Sequence, residues 1–184
     1  TTGNATDFGD INTVLGVHMS VGNATRVFIV GGDAKTGAYQ NNYKDERRYV
    51  TVDTPGNTND FGDLDYPRWN MGGTGDATRA VTLGGYKNDG SATSSDDIRY
   101  FDMETSGSTS TFGNIDNGNT NNFWGGAGAG TCGNNDRGVF CGSEVNGNRV
   151  NNIDYITIQT TGDSSDFGDL TGQKGYGISH CAGT

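Results

Sequence analysis

The apolar residues of this chain lie in short runs that alternate with polar residues, and these runs return at a near-constant interval. Three runs show the alternation, at residues 47–52, 98–103 and 153–158. Each run contains a Tyr at the same relative position, at Tyr49, Tyr100 and Tyr155. Period-two alternation with aromatic and β-branched residues predicts a β-strand that has one buried face.

A second kind of run is more continuously apolar. It begins with an Arg and ends in Gly-Gly or Gly-Ser, at residues 26–32, 79–85 and 137–143. Uninterrupted apolar runs are typical of strands that are covered on both faces. The terminal glycines suit a backbone that turns sharply where no side chain fits.

A Phe-Gly motif followed by Asp or Asn occurs four times. The Phe residues follow one another at steps of 53, 51 and 55, at Phe8, Phe61, Phe112 and Phe167. A Gly precedes each of them by five positions, at Gly3, Gly56, Gly107 and Gly162. These fixed offsets indicate a tandem repeat.

Each repeat predicts four strands: a weak Gly-containing strand, the Arg strand, the Tyr strand, and a short strand at Phe-Gly. Four strands in about fifty residues are typical of a β-propeller blade. We therefore predict an all-β fold, a β-propeller with about three complete blades plus partial ones. The predicted boundaries are 1–11 for the end of a preceding repeat, 12–64, 65–115 and 116–170 for repeats 1 to 3, and 171–184 for the start of a further repeat.

Three blades are too few to close a usual propeller, which has four to eight. Either these residues belong to a larger propeller, or several copies of the chain complete a ring. We expect the larger propeller, because the two ends of the sequence fall at unmatched points of the repeat.

Composition and charge exclude some partners. The 184 residues include 12 Lys+Arg against 22 Asp+Glu, which gives a net charge of -10. Binding to a phosphate backbone requires clustered Lys and Arg, so we predict no nucleic-acid partner. No run approaches the 18 or so apolar residues of a membrane span, so we predict no membrane insertion.

The order of the strands resembles a degenerate kelch repeat, in which an Arg…Gly-Gly strand and a Tyr strand precede a final aromatic residue. Kelch repeats usually place Trp at that aromatic position, whereas this chain has Phe. Residues 1–10 and 152–158 are similar to repeats in phage virion and tail-fibre proteins. The resemblance implies a non-enzymatic virion component. Its partners would be other virion proteins, further copies of the chain, or a host cell-surface glycan.

One motif that suggests catalysis, the Asp-Phe-Gly triplet, is a regular part of the repeat. Asp-Phe-Gly occurs at residues 7–9, 60–62 and 166–168, whereas a kinase needs this triplet once, beside other motifs. We predict instead that the Asp after the Gly accepts hydrogen bonds from turn amides. We predict no catalytic residue, cofactor or metal. A Ca²⁺ site in the acidic loop 89–97 and a glycosidase-like carboxylate pair are the less favoured alternatives.

The three cysteines are Cys132, Cys141 and Cys181, and their spacing fits no zinc site. We interpret them as apolar filling of buried strands. A disulfide between Cys132 and Cys141 across a hairpin is the alternative.

The third repeat carries seven extra residues, which we place at 117–124.

Aromatic residues in or beside loops are the best binding candidates. The candidate binding residues are Trp69, Tyr86, Phe123 and Trp124. Tyr39 and Tyr43 lie in the long first loop. Loop aromatics stack on sugars or anchor interfaces, but we favour packing between blades for Trp69 and Trp124. The leading hypothesis is a structural or receptor-binding propeller of a phage virion. The alternatives are an extracellular carbohydrate-binding or adhesive module of a secreted bacterial protein, and an enzyme on a propeller scaffold.

Overall fold

The structure, a computed structural model, describes residues 3–34, 42–88, 90, 92–115, 130–145, 148–174 and 181–182. Within these ranges the chain forms sixteen β-strands and no helix, so the predicted all-β class is confirmed. The strands in chain order are β1 (Met19–Gly22), β2 (Arg26–Asp33), β3 (Tyr43–Thr51), β4 (Asn59–Asp63), β5 (Arg68–Trp69), β6 (Gly72–Gly75), β7 (Arg79–Leu83), β8 (Tyr86–Asn88), β9 (Ala92–Ser94), β10 (Asp97–Asp102), β11 (Ser110–Asn114), β12 (Gly130–Gly133), β13 (Arg137–Val145), β14 (Asn148–Thr157), β15 (Ser165–Lys174) and β16 (Cys181–Ala182).

Three sheets repeat one strand order. Sheet I is β1-β2-β3-β4, sheet II is β6-β7-β10-β11, and sheet III is β12-β13-β14-β15 with β16 added beside β12. Neighbouring strands are antiparallel, except that β16 runs parallel to β12. In each sheet the four antiparallel strands are the weak, Arg, Tyr and Phe-Gly strands that the sequence predicts. A small ribbon of β5, β8 and β9 lies outside the three sheets.

The first strands of the sheets follow one another in space. β1 contacts β6, β6 contacts β12, and β12 pairs with β16. No helix in the described ranges is long and apolar enough to cross a bilayer.

The glycines that follow the apolar run of each Arg strand adopt positive φ. The values are 58° and 113° at Gly31 and Gly32, 55° and 91° at Gly84 and Gly85, and 64° at Gly142. Residues with a Cβ rarely adopt these conformations. In β2 and β13, however, the glycines lie inside the strand, where the pairing register shifts, so the backbone there forms β-bulges and not the sharp turn that the sequence predicts.

In the part of the chain that the structure describes, two hydrophobic cores lie between neighbouring sheets. Phe28 and Phe61 of sheet I pack with Phe101 of sheet II in the first core. Ala80 and Val81, which are successive residues of β7, point into the first and second cores respectively. Both are fully buried, because successive strand residues face opposite sides and sheet II is covered on both. The cores therefore join the sheets in series.

The Arg and Tyr that mark each repeat lie against each other. The guanidinium carbon of the Arg is 4.9, 4.3 and 4.7 Å from the Tyr ring centroid in the pairs Arg26–Tyr49, Arg79–Tyr100 and Arg137–Tyr155. These distances are within cation–π range. Two of the guanidinium groups also reach the next sheet, where Arg26 Nη1 donates to the Met103 carbonyl at 2.7 Å and Arg79 Nη1 to the Ile158 carbonyl at 3.0 Å.

Two glycines recur in every repeat, one directly after the Phe and one five residues before it. The first of these in one repeat lies close to the second in the next repeat. A Cβ built on Gly113 would lie 2.1 Å from the carbonyl oxygen of Gly162, which is a severe overlap. A Cβ on Gly9 would lie 2.2 Å from the carbonyl oxygen of Gly56. The Gly that follows one Phe therefore faces the Gly that precedes the next Phe by five residues.

Hydrogen bonds reinforce these junctions. The Gly162 N–H donates to the Phe112 carbonyl at 2.8 Å, and the Gly56 N–H donates to the Phe8 carbonyl at 2.7 Å. The junction between sheets I and II is wider, because a Cβ on Gly62 would still lie 3.4 Å from the Gly107 carbonyl oxygen.

The prediction for the Asp of the Phe-Gly motif was wrong. The carboxylate that accepts the turn amide belongs to the Asp before the Phe, and not to the Asp after the Gly. Asp7, Asp60 and Asp166 each accept the N–H of the Gly two residues later, at 3.0, 3.0 and 2.9 Å. A short acidic side chain reaches the amide at i+2 and forms an Asx turn.

The less favoured alternative of a hairpin disulfide between Cys132 and Cys141 is not borne out. In β12 and β13, Cys132 lies opposite Val139 and Cys141 lies opposite Gly130. The two cysteines are therefore offset by two positions along the hairpin, and no disulfide joins them.

The predicted insertion at 117–124 lies outside the described residues.

Arg47 is a buried cation in the core between sheets I and II. Its side chain is fully buried, and its guanidinium carbon lies 4.6 Å from the centroid of the Phe101 ring and 5.6 Å from that of Phe61. None of its three nitrogens has a hydrogen-bond partner among the described residues. Burial lowers the pKa of Arg47, although the charges of Asp63 and Asp60 oppose this. The other two repeats place Ile at this position.

Replacing Arg47 by Ile is expected to raise the free energy of unfolding by about 2 kcal/mol, because a buried charge without hydrogen bonds is replaced by a hydrocarbon. The position accepts Ile98 in sheet II, where that side chain is fully buried. Urea denaturation of both proteins measures the difference.

Arg48→Ala is the matched control. Arg48 is half-buried and pairs with Glu46 at 2.8 Å, so its loss should cost only about 0.5 kcal/mol. A destabilised Arg47→Ile variant would show that the cation–π contacts outweigh the cost of burying the charge.

Candidate functional site

The ribbon of β5, β8 and β9 comes from two connections of the second repeat. β5 precedes β6, and β8 and β9 lie between β7 and β10. Arg68 pairs with Lys87 and Trp69 with Tyr86 in its first two strands. Strand alternation therefore puts Trp69 and Tyr86 on one face and Arg68 and Lys87 on the other. β5 also contacts β2 and β3 of sheet I.

Tyr43, Trp69 and Tyr86 form an aromatic cluster on the first face. The rings of Tyr43 and Trp69 are stacked, with centroids 5.5 Å apart and an interplanar angle of 11°. The Tyr86 ring lies 5.6 Å from Trp69 and 6.3 Å from Tyr43. All three side chains are half-buried. Because Tyr43 belongs to the first repeat, Trp69 packs between repeats and also presents part of its surface to solvent.

The hydroxyl of Tyr43 stays protonated at neutral pH. Burial raises the pKa of Tyr43, and the charges of Asp33 and Tyr86 raise it further. A phenol beside two other rings can donate one hydrogen bond to a ligand that stacks on the cluster.

Tyr66, Arg68, Lys87 and Asp97 form an ionic network on the second face. The Arg68 side chain is fully buried, and its Nη2 donates to Asp97 Oδ2 at 2.9 Å and to the Tyr66 hydroxyl at 2.5 Å. The Tyr66 hydroxyl donates to the same Asp97 oxygen. Lys87 Nζ lies 3.6 Å from that oxygen.

The network fixes the protonation of its acidic groups. Burial acts to raise the pKa of Asp97, but the Tyr66 hydrogen bond and the charges of Arg68 and Lys87 outweigh it and lower the pKa. Burial and the Asp97 hydrogen bond raise the pKa of Tyr66. General acid–base catalysis works best with a pKa near the working pH, and both groups are shifted away from neutrality. The network therefore holds the ribbon in place.

The first hairpins of the three sheets line a cleft of about 600 Å³. Its walls are residues 20–24, 73–77 and 131–135. Asn23, Asp76 and Asn134 lie at equivalent positions, and each side chain accepts the N–H of the Arg three residues later, at 2.9, 2.8 and 2.7 Å. These polar side chains thus close their own turns.

The carboxylate of the cleft, Asp76, also has a second partner. Gln159 Nε2 donates to Asp76 Oδ2 at 2.5 Å. Burial acts to raise the pKa of Asp76, but this bond and the turn amides outweigh it and lower the pKa. Asp76 is therefore ionised and hydrogen-bonded at neutral pH.

Neither a protein-family model nor a curated protein matches this chain.

Of the binding residues predicted from sequence, the structure brings Trp69 and Tyr86 together. Phe123, Trp124 and Tyr39 lie outside the described residues. Sequence reasoning missed Tyr66 and Arg68 as partners of Asp97.

The acidic loop considered for Ca²⁺ ends in Asp97, which pairs with Arg68. In the described ranges no three His, Cys, Asp or Glu side chains are placed to hold a metal ion.

Proposed function

We propose that this chain is a non-enzymatic β-propeller segment of a phage virion, with a structural or receptor-binding role, and that sheets I, II and III are successive blades. The observation that carries the proposal is that the residues conserved from repeat to repeat within the chain are those that contact the next repeat. The Arg and the Phe-Gly glycines contact the following repeat, so the repeated residues specify serial stacking of sheets. The first strands, which follow one another in space, support an arrangement around an axis.

A non-catalytic role is supported by the state of the candidate acids. Asp76 and Asp97 have lowered pKa values, and each is held by several donors. Carboxylates of this kind contribute to structure and are poor proton donors at neutral pH.

The virion role draws on the resemblance of the repeats to phage virion and tail-fibre repeats. Mass spectrometry of purified particles of the phage that encodes this chain tests it. Peptides from the chain are expected at a stoichiometry similar to that of other tail or capsid proteins. Their absence from particles, with the protein present in infected cells, would contradict the proposal.

The aromatic cluster favours a second candidate function, which is carbohydrate binding. Stacked, half-buried rings beside a protonated Tyr hydroxyl offer both a flat apolar face and a polar group to a sugar ring. A glycan array tests this, with the expectation that Trp69→Ala loses binding. Trp69→Phe keeps a ring and should retain most of it. Unchanged glycan binding by a folded Trp69→Ala variant would exclude the cluster as the site.

A further inference from the structure

The first hairpins of sheets I and II each contact the sheet of the following repeat. The residue that makes this contact, which we name the turn residue, is Asn23 in sheet I and Asp76 in sheet II. Its partner, which we name the facing residue, lies eight positions before the Phe of the next repeat and is Glu104 or Gln159. Both contacts lie inside the chain, at the junctions of sheet I with sheet II and of sheet II with sheet III.

The two junctions use equivalent hydrogen bonds of opposite polarity. At the first junction, Asn23 Nδ2 donates to Glu104 Oε1 at 3.4 Å. At the second junction the direction is reversed, because Gln159 Nε2 donates to Asp76 Oδ2 at 2.5 Å. Each junction therefore pairs one amide with one carboxylate, although both residues differ between the junctions.

The polarity of each turn residue is fixed by its own turn. Oδ1 of Asn23 and Oδ1 of Asp76 each accept the backbone N–H of the Arg three residues later. The remaining polar atom, which faces the next sheet, is then Nδ2 in Asn23 and Oδ2 in Asp76. An amide nitrogen only donates, and an ionised carboxylate oxygen only accepts. Sheet I thus presents a donor to its neighbour, and sheet II presents an acceptor.

Asp76 would meet a like charge on either of the other two sheets. The facing residue of sheet I is Asp53, which lies eight positions before Phe61, and that of sheet II is Glu104. Two carboxylates at hydrogen-bond distance repel each other, and neither supplies a proton for the bond. Among the three sheets, only sheet III has a facing residue that can donate to Asp76.

The other contacts across the junctions do not distinguish one sheet from another. Arg26 and Arg79 donate to backbone carbonyls at equivalent positions, those of Met103 and Ile158. Repeat proteins with interchangeable interfaces are prone to misassembly and domain swapping. Discrimination between similar partners requires a contact that penalises the wrong one. The reversed hydrogen bond is a contact of this kind.

We propose that the turn and facing residues set the order in which the sheets stack, and that Asp76 excludes sheets I and II from the place that sheet III takes. The partner that Asp76 accepts is a sheet with an amide at the facing position. The exclusion acts during folding, when sheets of the same chain and of other copies compete for the hairpin of sheet II. This inference does not depend on the virion role.

Gln159→Glu reproduces the excluded pair within the native fold. The new carboxylate faces Asp76, although Arg79 offsets part of the repulsion, as Arg26 lies 3.7 Å from Glu104 at the first junction. The melting temperature is expected to fall by about 2 °C. Adding Asp76→Asn gives the second junction the amide–carboxylate pair of the first, so the double variant should recover the loss. A double variant that melts as low as Gln159→Glu would contradict the proposed pairing.

Refolding of the double variant separates the choice of partner from stability. An amide at position 76 can donate to Asp53 and Glu104, so sheets I and II are no longer excluded, while the net charge equals that of the parent chain. After dilution from urea over a concentration series, size-exclusion chromatography should show a share of misassembled oligomer about threefold larger than for the parent, a factor typical of one surface charge pair. Equal shares from two proteins of equal stability would overturn the proposal.

Discussion

Replacing Gly113 by Ala is expected to lower the free energy of unfolding by about 3 kcal/mol, because the added methyl group overlaps backbone atoms that cannot rotate away. The new Cβ would lie 2.1 Å from the Gly162 carbonyl oxygen and 2.8 Å from the Asp163 nitrogen. Two hydrogen bonds join sheets II and III beside this contact. The backbones must move apart to relieve the overlap, and this movement separates the sheets at this edge. Urea denaturation followed by intrinsic fluorescence measures the loss.

Gly107→Ala is the control for this prediction. It changes another glycine of the repeat, but a Cβ there meets nothing within 4 Å. Its effect should be within about 0.5 kcal/mol, as for an ordinary surface substitution. Equal losses in the two variants would mean that the repeat glycines matter for backbone conformation alone, and that the close approach of Gly113 and Gly162 is not needed.

Much of the fold could be predicted from sequence because the strands of the three repeated sheets have local signals. The alternation around Tyr49, the apolar run after Arg26 and the glycine pair that ends it all depend on residues close together in the chain. The partners of these residues could not be predicted. Arg26 bonds to a carbonyl 77 residues away, and the pattern of one repeat contains no information on which sheet lies beside it.

The candidate site was predictable only in part. Trp69 and Tyr86 stand out as aromatic residues near loops, but their contact depends on the two-residue pairing of β5 with β8, which has no sequence pattern of its own. Arg68 is harder to recognise. A charged residue is usually solvated, and only the tertiary structure shows that this one is buried against Tyr66 and Asp97.

Repeats also reveal where one copy departs from the others. Arg47 stands where the equivalent residues are Ile98 and Ile153, and the charge is buried without a hydrogen-bond partner in the described ranges. The comparison of copies thus identifies a position at which stability can be gained.

Asp97→Asn is expected to lower the free energy of unfolding by about 3 kcal/mol at pH 7, because it leaves the buried Arg68 charge without its carboxylate. The amide has nearly the same shape, so the loss reports the charge and not the packing. Asp65→Asn is the matched control. Asp65 pairs with Arg99 at 2.9 Å nearer the surface, where such a pair contributes about 0.5 kcal/mol.

The pH dependence separates this prediction from a general weakening of the ribbon. Since the folded pKa of Asp97 is lowered, its contribution is fully present above the unfolded pKa of about 4 and is lost as the pH falls through the folded value. The Asn variant does not titrate there. The stability difference between wild type and Asp97→Asn should therefore be constant from pH 7 to about pH 5 and should shrink below about pH 4. A difference that stays constant into acid would show that the ionised carboxylate of Asp97 is not the source of the stabilisation.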